Sequence, residues 1–214
     1  WWTLDTDDLK NVCEKLQFEG GFIHRFRHDG GSHYLFIPDG SISATHTFTK
    51  DDINNILVSH TPLADLNTKI YYEYEKHPAR NSYLTAVTAT NSTTRTNYIR
   101  DLAGSASAKE NINTVKLDGY TSPTIPATPA SNPNDDIYTY YDNISGTVKL
   151  NVSATIVNPA FYNVEIGDFI AFDNDNMTPD KAFGSAWTGK VFIITQLTRS
   201  PGSIAFKARE VYSS

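Results

Sequence analysis

The clearest alternation of apolar and polar positions lies near the C-terminal end of the chain. Ile204, Phe206 and Ala208 alternate there with Lys207 and Arg209. A period of two residues is typical of a strand with one buried face and one exposed face. The pattern therefore predicts a half-buried strand in this region.

Turn residues separate this strand from other apolar segments of the C-terminal quarter. The turn predicted at Arg199–Gly202 follows a short apolar run at Val191–Ile194. Further upstream, Gly167-Asp168 predicts a turn or bulge between Val164–Ile166 and Phe169–Phe172. This pattern places no nucleophile, base or metal ligand, so we interpret the region as the closing strands of a β-barrel or sheet.

The N-terminal segment has helical rather than strand periodicity. Apolar residues at helical spacing predict a helix over Asp5–Gln17, ended by Gly20-Gly21, with the inward side chains Leu9, Val12, Cys13 and Leu16. The turn signal Asp29–Ser32 then predicts a hairpin of strands Phe22–His28 and His33–Ile37.

A further strand and helix are expected before the first domain boundary. The segment Ile42–Phe48 continues the predicted sheet, and Thr49–Asp52 resembles the capping box of a helix that carries Ile53, Ile56 and Leu57. We place the boundary at Thr61-Pro62, which gives a small α+β domain over residues 1–62.

Residues 63–214 are predicted to form a β-barrel domain, so the expected fold class is mainly β with α+β elements. The predicted strands before its C-terminal quarter are Leu66–Tyr74, Tyr83–Ala89 and Thr147–Val157. A helix capped by Asn91 or Ser92 is expected to end at Gly104, while Thr114–Leu117 is too short for an assignment. The Pro-, Thr- and Ser-rich residues 119–136 predict an extended surface loop.

Composition and charge exclude several classes of protein. A net charge of -6 argues against a protein that grips phosphate backbones, and Arg25 and Arg27 on one predicted strand indicate a solvated face. The single cysteine, Cys13, excludes an intrachain disulfide.

No apolar stretch approaches the roughly 18 residues of a membrane span. Because the chain begins at Trp1 rather than Met, we expect that it is cut from a longer parent or processed.

Three histidines in the predicted hairpin could bind a metal, but a surface role is favoured. His24 and His28 would share a face yet stand about 13 Å apart on a strand. His33, across the hairpin, could approach one of them, which would give a two-histidine site. We assign no metal ligand here, because histidines on a sheet surface explain the pattern.

The acidic segments also have two interpretations. Asp173–Asn176 resembles the start of a calcium loop, but Met177 and Thr178 stand where an EF-hand needs an oxygen ligand and glycine, so a Ca²⁺ site at Asp173–Asp175 stays open. Asp51-Asp52 and Asp135-Asp136 could be glycosidase acids, although capping and solvation explain adjacent acids better. Cys13 is expected to be a buried structural thiol.

The tryptophans support an alternative function. Trp1, Trp2 and Trp187 could form a sugar-stacking platform, which would make the chain a carbohydrate-binding β-module involved in host-surface recognition. For Trp187 we favour a packing role.

A cell-wall hydrolase or peptidase is the remaining alternative, but no catalytic motif of the usual kinds occurs. We therefore expect no enzyme activity, and assign no catalytic, cofactor-binding or metal-binding residue.

The order of several segments resembles that of phage tail-tip and baseplate hub proteins. The segments are YYEYEKHP at Tyr71–Pro78, ATNSTTRTNYIRDL at Ala89–Leu102, VSATIVNPAFYNVEIGDFIAF at Val152–Phe172, and the later hairpin GKVFIITQLTRSPGSIAFKAREV. The chain departs from that family at Ile99, where glycine is usual, in the short Ala-rich segment Ala103–Ala108, and in its Pro-rich loop.

This resemblance implies a structural role in the virion. It implies a tube-like barrel that self-associates into a ring, with a trimer favoured, and joins the tail tube to the tip. The implied partners are other tail proteins (tube, distal tail, fibre or spike), with no membrane partner and with DNA only as passing cargo. The protein would be made in the cytoplasm of a bacterial host. The negative net charge fits a lumen that DNA passes without sticking.

Overall fold

The computed structural model describes residues 8–20, 22–26, 30–36, 42–80, 82–90, 111–120, 145–174, 177 and 184–213. Over these residues the protein is mainly β, as the sequence predicts. The described elements are α1 (Leu9–Gly20), β1 (Phe22–Phe26), β2 (Ser32–Phe36), β3 (His46–Phe48), β4 (Ile53–His60), β5 (Lys69–His77), β6 (Ser82–Thr90), β7 (Ile112–Lys116), β8 (Leu150–Ile156), β9 (Phe169–Phe172), β10 (Lys190–Ser200) and β11 (Ser203–Ser213), with 3-10 helices at Leu63–Asp65 and Pro159–Phe161.

The strands form three sheets. Strands β1 and β2 pair as a hairpin, and three strands pair in the order β6-β5-β7. The largest sheet has six strands in the order β3-β9-β10-β11-β8-β4 and curls into a half-barrel. Its neighbours are antiparallel except for the parallel pair β3 and β9. The predicted C-terminal hairpin is present, because β10 and β11 pair directly around the turn before Ser203.

One face of the six-stranded sheet closes over a continuous apolar core. Its strands alternate as predicted: in β8 the even-numbered residues are buried and the odd-numbered residues are half-exposed. The fully buried side chains include Phe48, Ile156, Ile170, Phe192 and Phe206. The ring of Phe48 stacks on that of Phe206 with a centroid distance of 5.8 Å. The aromatic and β-branched residues of the sequence are thus used mainly to fill this sheet.

The helix predicted after Thr49–Asp52 is wrong, because Ile53–His60 is strand β4. Asp52 does bind back to Thr49 as a capping residue would: its Oδ2 accepts from the Thr49 N–H at 2.8 Å and from the Thr49 hydroxyl at 2.7 Å. This local contact closes a turn between β3 and β4 instead of starting a helix. The next segment becomes a strand because its pairing with β8 outweighs its local preference for a helix.

Several predicted boundaries change in the structure. Strand β7 covers most of the segment left without an assignment, and β3 contains only three residues of the predicted strand Ile42–Phe48. The segment Val164–Ile166 is not a strand, and Gly167, with φ of 91°, forms the predicted turn before β9. The helix predicted after Asn91 and most of the loop at 119–136 lie outside the described residues.

Contacts divide the chain into two units whose boundaries differ from the predicted domains 1–62 and 63–214. The first unit comprises residues 1–39 and 63–147, and the second comprises residues 40–62 and 148–214. The difference arises because β3 and β4 belong to the six-stranded sheet. In the second unit, Thr61 and Lys149 lie together: the Thr61 N–H donates to the Lys149 carbonyl at 2.8 Å, and the Lys149 N–H donates to the Thr61 hydroxyl at 3.2 Å.

Candidate functional site

His24 and His33, the two histidines of the predicted hairpin that the structure describes, do not lie together. His24 pairs with Tyr34 across the hairpin and His33 pairs with Arg25, so His24 and His33 lie on opposite faces. His24 Nε2 lies 2.7 Å from the Ser32 hydroxyl. His28 lies outside the described residues, and the described residues contain no group of three or more His, Cys, Asp or Glu that could hold a metal ion.

The described half of the acidic loop is used in backbone contacts. The Asp173 N–H donates to the Phe48 carbonyl at 2.8 Å, and Asn174 Oδ1 accepts from the Trp187 N–H at 3.1 Å. Asp175 and Asn176 lie outside the described residues. The Asn174 contact connects the loop to the segment before β10, so its amide oxygen has a structural role.

Trp187 is a core residue, in agreement with the packing role favoured from the sequence. Only 1% of it is exposed, and its ring packs at centroid distances of 4.7 Å from Phe172 and 6.2 Å from Phe192. A side chain at this depth offers no face on which a sugar could stack. Trp1 and Trp2 lie outside the described residues.

Asp52, one of the adjacent acids, is held by hydrogen bonds on both carboxylate oxygens. Asn158 Nδ2 donates to its Oδ1 at 2.6 Å, while Thr49 donates to its Oδ2. Burial alone would raise the pKa of Asp52, but these hydrogen bonds outweigh burial and hold the pKa below its usual value. A general acid needs a raised pKa, so this arrangement fits turn closure. Asp135-Asp136 lies outside the described residues.

Helix α1 faces its own unit with a polar side, which contradicts the prediction of an inward apolar face. Glu19 is its one buried residue, whereas Leu9 and Leu16 are 75% and 42% exposed. Cys13 is exposed as well, so the expected buried thiol is wrong. The reason lies in the partners of Glu19, whose two carboxylate oxygens accept the backbone N–H groups of Asp118 and Gly119 at 2.6 and 3.0 Å.

Asp118 is the centre of a charged cluster that the sequence patterns did not reveal. Its carboxylate is only 6% exposed and accepts from Lys15 of α1, from Lys76 Nζ of β5 at 2.8 Å and from the Tyr83 hydroxyl of β6 at 2.5 Å. Glu19 binds the backbone of the same residue. These contacts connect the helix and two strands of the first unit through one side chain.

The electrostatics of this cluster result from its charges. Burial opposes ionisation of Asp118, but hydrogen bonds from Lys15, Lys76 and Tyr83 outweigh burial and lower its pKa. Burial and the hydrogen bond to Asp118 raise the pKa of Tyr83, because a phenolate would sit beside a carboxylate. Burial, together with the smaller effect of the Glu19 charge, raises the pKa of Tyr120. The contacts of this carboxylate with two lysines and a phenol hold elements of the first unit together.

A second buried ion pair lies in the six-stranded sheet. Lys190 Nζ lies 3.3 Å from Glu210 Oε1, and the two side chains are 13% and 5% exposed. Glu210 Oε2 also accepts the Leu150 N–H at 2.9 Å. The register of β11 with β8 ends at the pair Arg209 and Asn151, one residue earlier. The Glu210 side chain therefore provides a hydrogen bond to β8 just beyond the end of the backbone pairing between β11 and β8.

The described residues also present sheet edges and exposed apolar side chains. Strand β4 forms one edge of the six-stranded sheet and β6 forms one edge of the three-stranded sheet. They carry the exposed residues Leu57 and Leu84, which are 66% and 67% accessible. No helix among the described residues is long and apolar enough to cross a membrane. Edges and apolar side chains are features that subunit contacts use.

Comparison with known proteins identifies the fold. No family model and no curated protein matches the chain. The tail protein of Neisseria meningitidis MC58 aligns with a TM-score of 0.52 and 10% identity, over 98% of this chain and 58% of that one. Prophage tail protein gp18 of Listeria monocytogenes EGD-e aligns with a TM-score of 0.47 and 12% identity, over 95% and 52%. The 43 kDa tail protein of prophage MuSo2 of Shewanella oneidensis aligns with a TM-score of 0.48 and 9% identity, over 99% of this chain and 56% of that one.

The chain thus spans little more than half the length of the solved structures that it matches. At this identity the likeness concerns the course of the backbone and not individual side chains. The chain shares the β-rich fold of the Neisseria tail protein.

Proposed function

We propose that this protein is a structural component of a phage or phage-like tail, located in the tail tip or baseplate hub. It would assemble as a ring, with three copies favoured, and join the tail tube to the tip. Other tail proteins would be its partners, and its place would be the virion. The observation that carries the proposal is the fold shared with a tail protein over nearly the whole chain.

The use of polar side chains supports a structural role without catalysis. Asp52, Asp118 and Glu210 each accept several hydrogen bonds from nearby side chains or backbone groups. Carboxylates that accept two or three hydrogen bonds stabilise the fold and offer less capacity to a substrate. We include the absence of enzyme activity in the proposal for this reason.

The charge of the chain supports the proposed setting. With a net charge of -6, the surface as a whole repels the phosphates of DNA. DNA could then pass a ring of such chains without adsorbing. A carbohydrate-binding function has no comparable support among the described residues, because Trp187 is buried.

Electron microscopy of phage particles tests the location. Antibodies raised against this chain, coupled to gold, are expected to label the tail end that lies away from the capsid. Antibodies against a capsid protein of the same particle provide the control. Label on the capsid, or on no part of the particle while the antibody recognises the protein in a blot, would contradict the proposed location.

Negative-stain microscopy and native mass spectrometry of the purified protein test the assembly. A closed ring with rotational symmetry and three copies is expected. Open filaments, or chains that stay single when mixed with tail-tube protein, would contradict a ring.

A further inference from the structure

Strand β6 is an edge of its sheet, and no other strand of the described residues covers that edge. Among the described residues its only neighbouring strand is β5, so one row of its N–H and C=O groups has no partner strand. Its register with β5 is constant from the pair Lys69 and Thr90 to the pair His77 and Ser82. The pair Glu75 and Leu84 is missing from this register, next to Glu75 with its φ of 57°, but β6 itself continues over nine residues.

Strand β6 also lacks the features that usually protect such an edge. Free edges are normally blocked by charged side chains, proline, a bulge or short length. The sequence SYLTAVTAT contains no charge, no proline and no glycine. Its outward residues include Leu84, which is 67% exposed. Leaving a nine-residue edge unprotected exposes the protein to strand pairing, and this is explained if the edge has a partner.

The chemistry of the edge defines the partner as an extended strand of matching length without charges. The other described edges in this chain do not meet that requirement. Strands β1, β2, β3 and β7 have at most five residues. Strand β4 is interrupted by a register shift between Asn54 and Leu57, next to Asn55 with its φ of 54°. The edge that fits β6 is β6 of a second copy.

We propose that two copies of this chain pair through β6, antiparallel and about a two-fold axis at Ala86. This register keeps all nine residues of both strands paired, because Ala86 is the midpoint of Ser82–Thr90. It places Leu84 opposite Thr88 of the second copy and brings no like charges together. The contact goes beyond the proposed ring: a ring closes through two different surfaces, whereas this contact uses one surface twice and would join two chains or two rings.

The oligomeric state of the whole chain tests the proposal. Sedimentation from micromolar to near-millimolar concentration is expected to show an equilibrium in which two chains, or two rings where rings have formed, associate into one particle. Ala86→Lys places two ammonium groups opposite each other at the axis, and should raise the dissociation constant at least about tenfold. Ala205→Lys, at an exposed position of β11, is the matched control and should leave the dissociation constant unchanged. Circular dichroism confirms that both variants are folded.

Cysteine cross-linking tests the register independently of that variant. In the Cys13→Ser background, Ala86→Cys would put two thiols directly across the axis, with Cα atoms about 4.5–5.5 Å apart, a separation that a disulfide spans. A covalent dimer is expected on mild oxidation. Leu57→Cys in the same background, exposed on the β4 edge, should give none.

Three results would overturn the proposal. The first is a chain that stays monomeric at every concentration. The second is an oligomer whose dissociation constant Ala86→Lys does not change. The third is a cross-link that forms through Leu57→Cys and not through Ala86→Cys, since that would assign the contact to the β4 edge.

Discussion

Asp118 is the residue on which the polar contacts of the first unit converge. It lies after β7, yet it accepts hydrogen bonds from α1, β5 and β6 and its backbone donates to Glu19. The carboxylates of Asp118 and Glu19 thus supply polar contacts where a helix is usually held on a sheet by apolar packing. The consequence is that attachment of α1 depends on charge.

Removing that charge is predicted to destabilise the first unit. Asp118→Asn keeps the shape of the side chain but leaves Lys15 and Lys76 close together without a counter-charge. We expect a loss of about 1–3 kcal/mol in the free energy of unfolding, since both lysines are partly exposed and water screens them. Urea unfolding measures it. Asp65→Asn, at an exposed position of the same unit, should change the free energy by less than about 0.5 kcal/mol.

The effect of Asp118→Asn should depend on pH. Because the pKa of Asp118 is lowered in the folded state, its ionised form adds stability above the usual pKa of 3.8. That stability is lost as the pH falls through the folded pKa. The difference in the free energy of unfolding between the unchanged protein and Asp118→Asn should therefore be largest at about pH 7 and smaller at about pH 3. A difference that stays constant between these values would contradict the role of the charge.

At the level of elements, alternation in the sequence predicted the strands well. Strands β5, β8 and β11 overlap segments whose apolar and polar residues alternate, because a two-residue period carries its own information about which face is buried. Strand β10 overlaps the predicted apolar run Val191–Ile194, and β6 overlaps the predicted strand Tyr83–Ala89. The turn at Thr49–Asp52 shows the limit: its capping contact is present, but pairing with the distant strand β8 makes the next segment a strand. Long-range pairing is not visible in a local pattern.

The charged cluster could not be predicted for a related reason. Lys15 and Glu19 are four residues apart and so share a face of a helix, which is a local signal. The apolar residues Leu9, Val12 and Leu16 competed with them for the inward face, and the sequence does not state which face has a partner. The partner is supplied by the backbone of Asp118 and Gly119, which lie 99 and 100 residues after Glu19.

Trp187 is predicted to contribute strongly to the core of the six-stranded sheet. Trp187→Ala would leave a large cavity against Phe172 and Phe192 and should reduce the free energy of unfolding by about 3–5 kcal/mol. Leu57→Ala, at an exposed position of β4, should cost less than about 0.5 kcal/mol. If Trp187→Ala were neutral in urea unfolding, the assignment of Trp187 to the core would be wrong.

At the scale of the whole molecule, the last strand lies inside the largest sheet. Strand β11 pairs with β10 on one side and with β8 on the other, so it joins two parts of the sheet that otherwise have no shared neighbour. Helix α1 and the hairpin of β1 and β2 belong to the other unit. The stability of the second unit should therefore depend on the C-terminal strand and not on the N-terminal helix.

Two shortened chains test this dependence. A chain of residues 22–214 lacks α1 and retains Trp187 as its only tryptophan, since the other two are Trp1 and Trp2. Its Trp187 fluorescence should show a cooperative unfolding transition. A chain of residues 22–200 also lacks β11, and its Trp187 should fluoresce as a solvent-exposed residue without such a transition. Cooperative unfolding of the shorter chain would contradict the central role of β11.

The hydrogen bonds between Thr61 and Lys149 have a consequence for how this protein can change over evolution. The polypeptide leaves the six-stranded sheet at Thr61 and returns to it at Lys149, and these hydrogen bonds hold the two points next to each other. Residues 62–148 therefore form a segment whose two ends are fixed next to each other. Such a segment can be lengthened, shortened or exchanged for an unrelated one without moving the strands on either side, as inserted domains generally allow. Relatives of this chain are expected to differ most in length here.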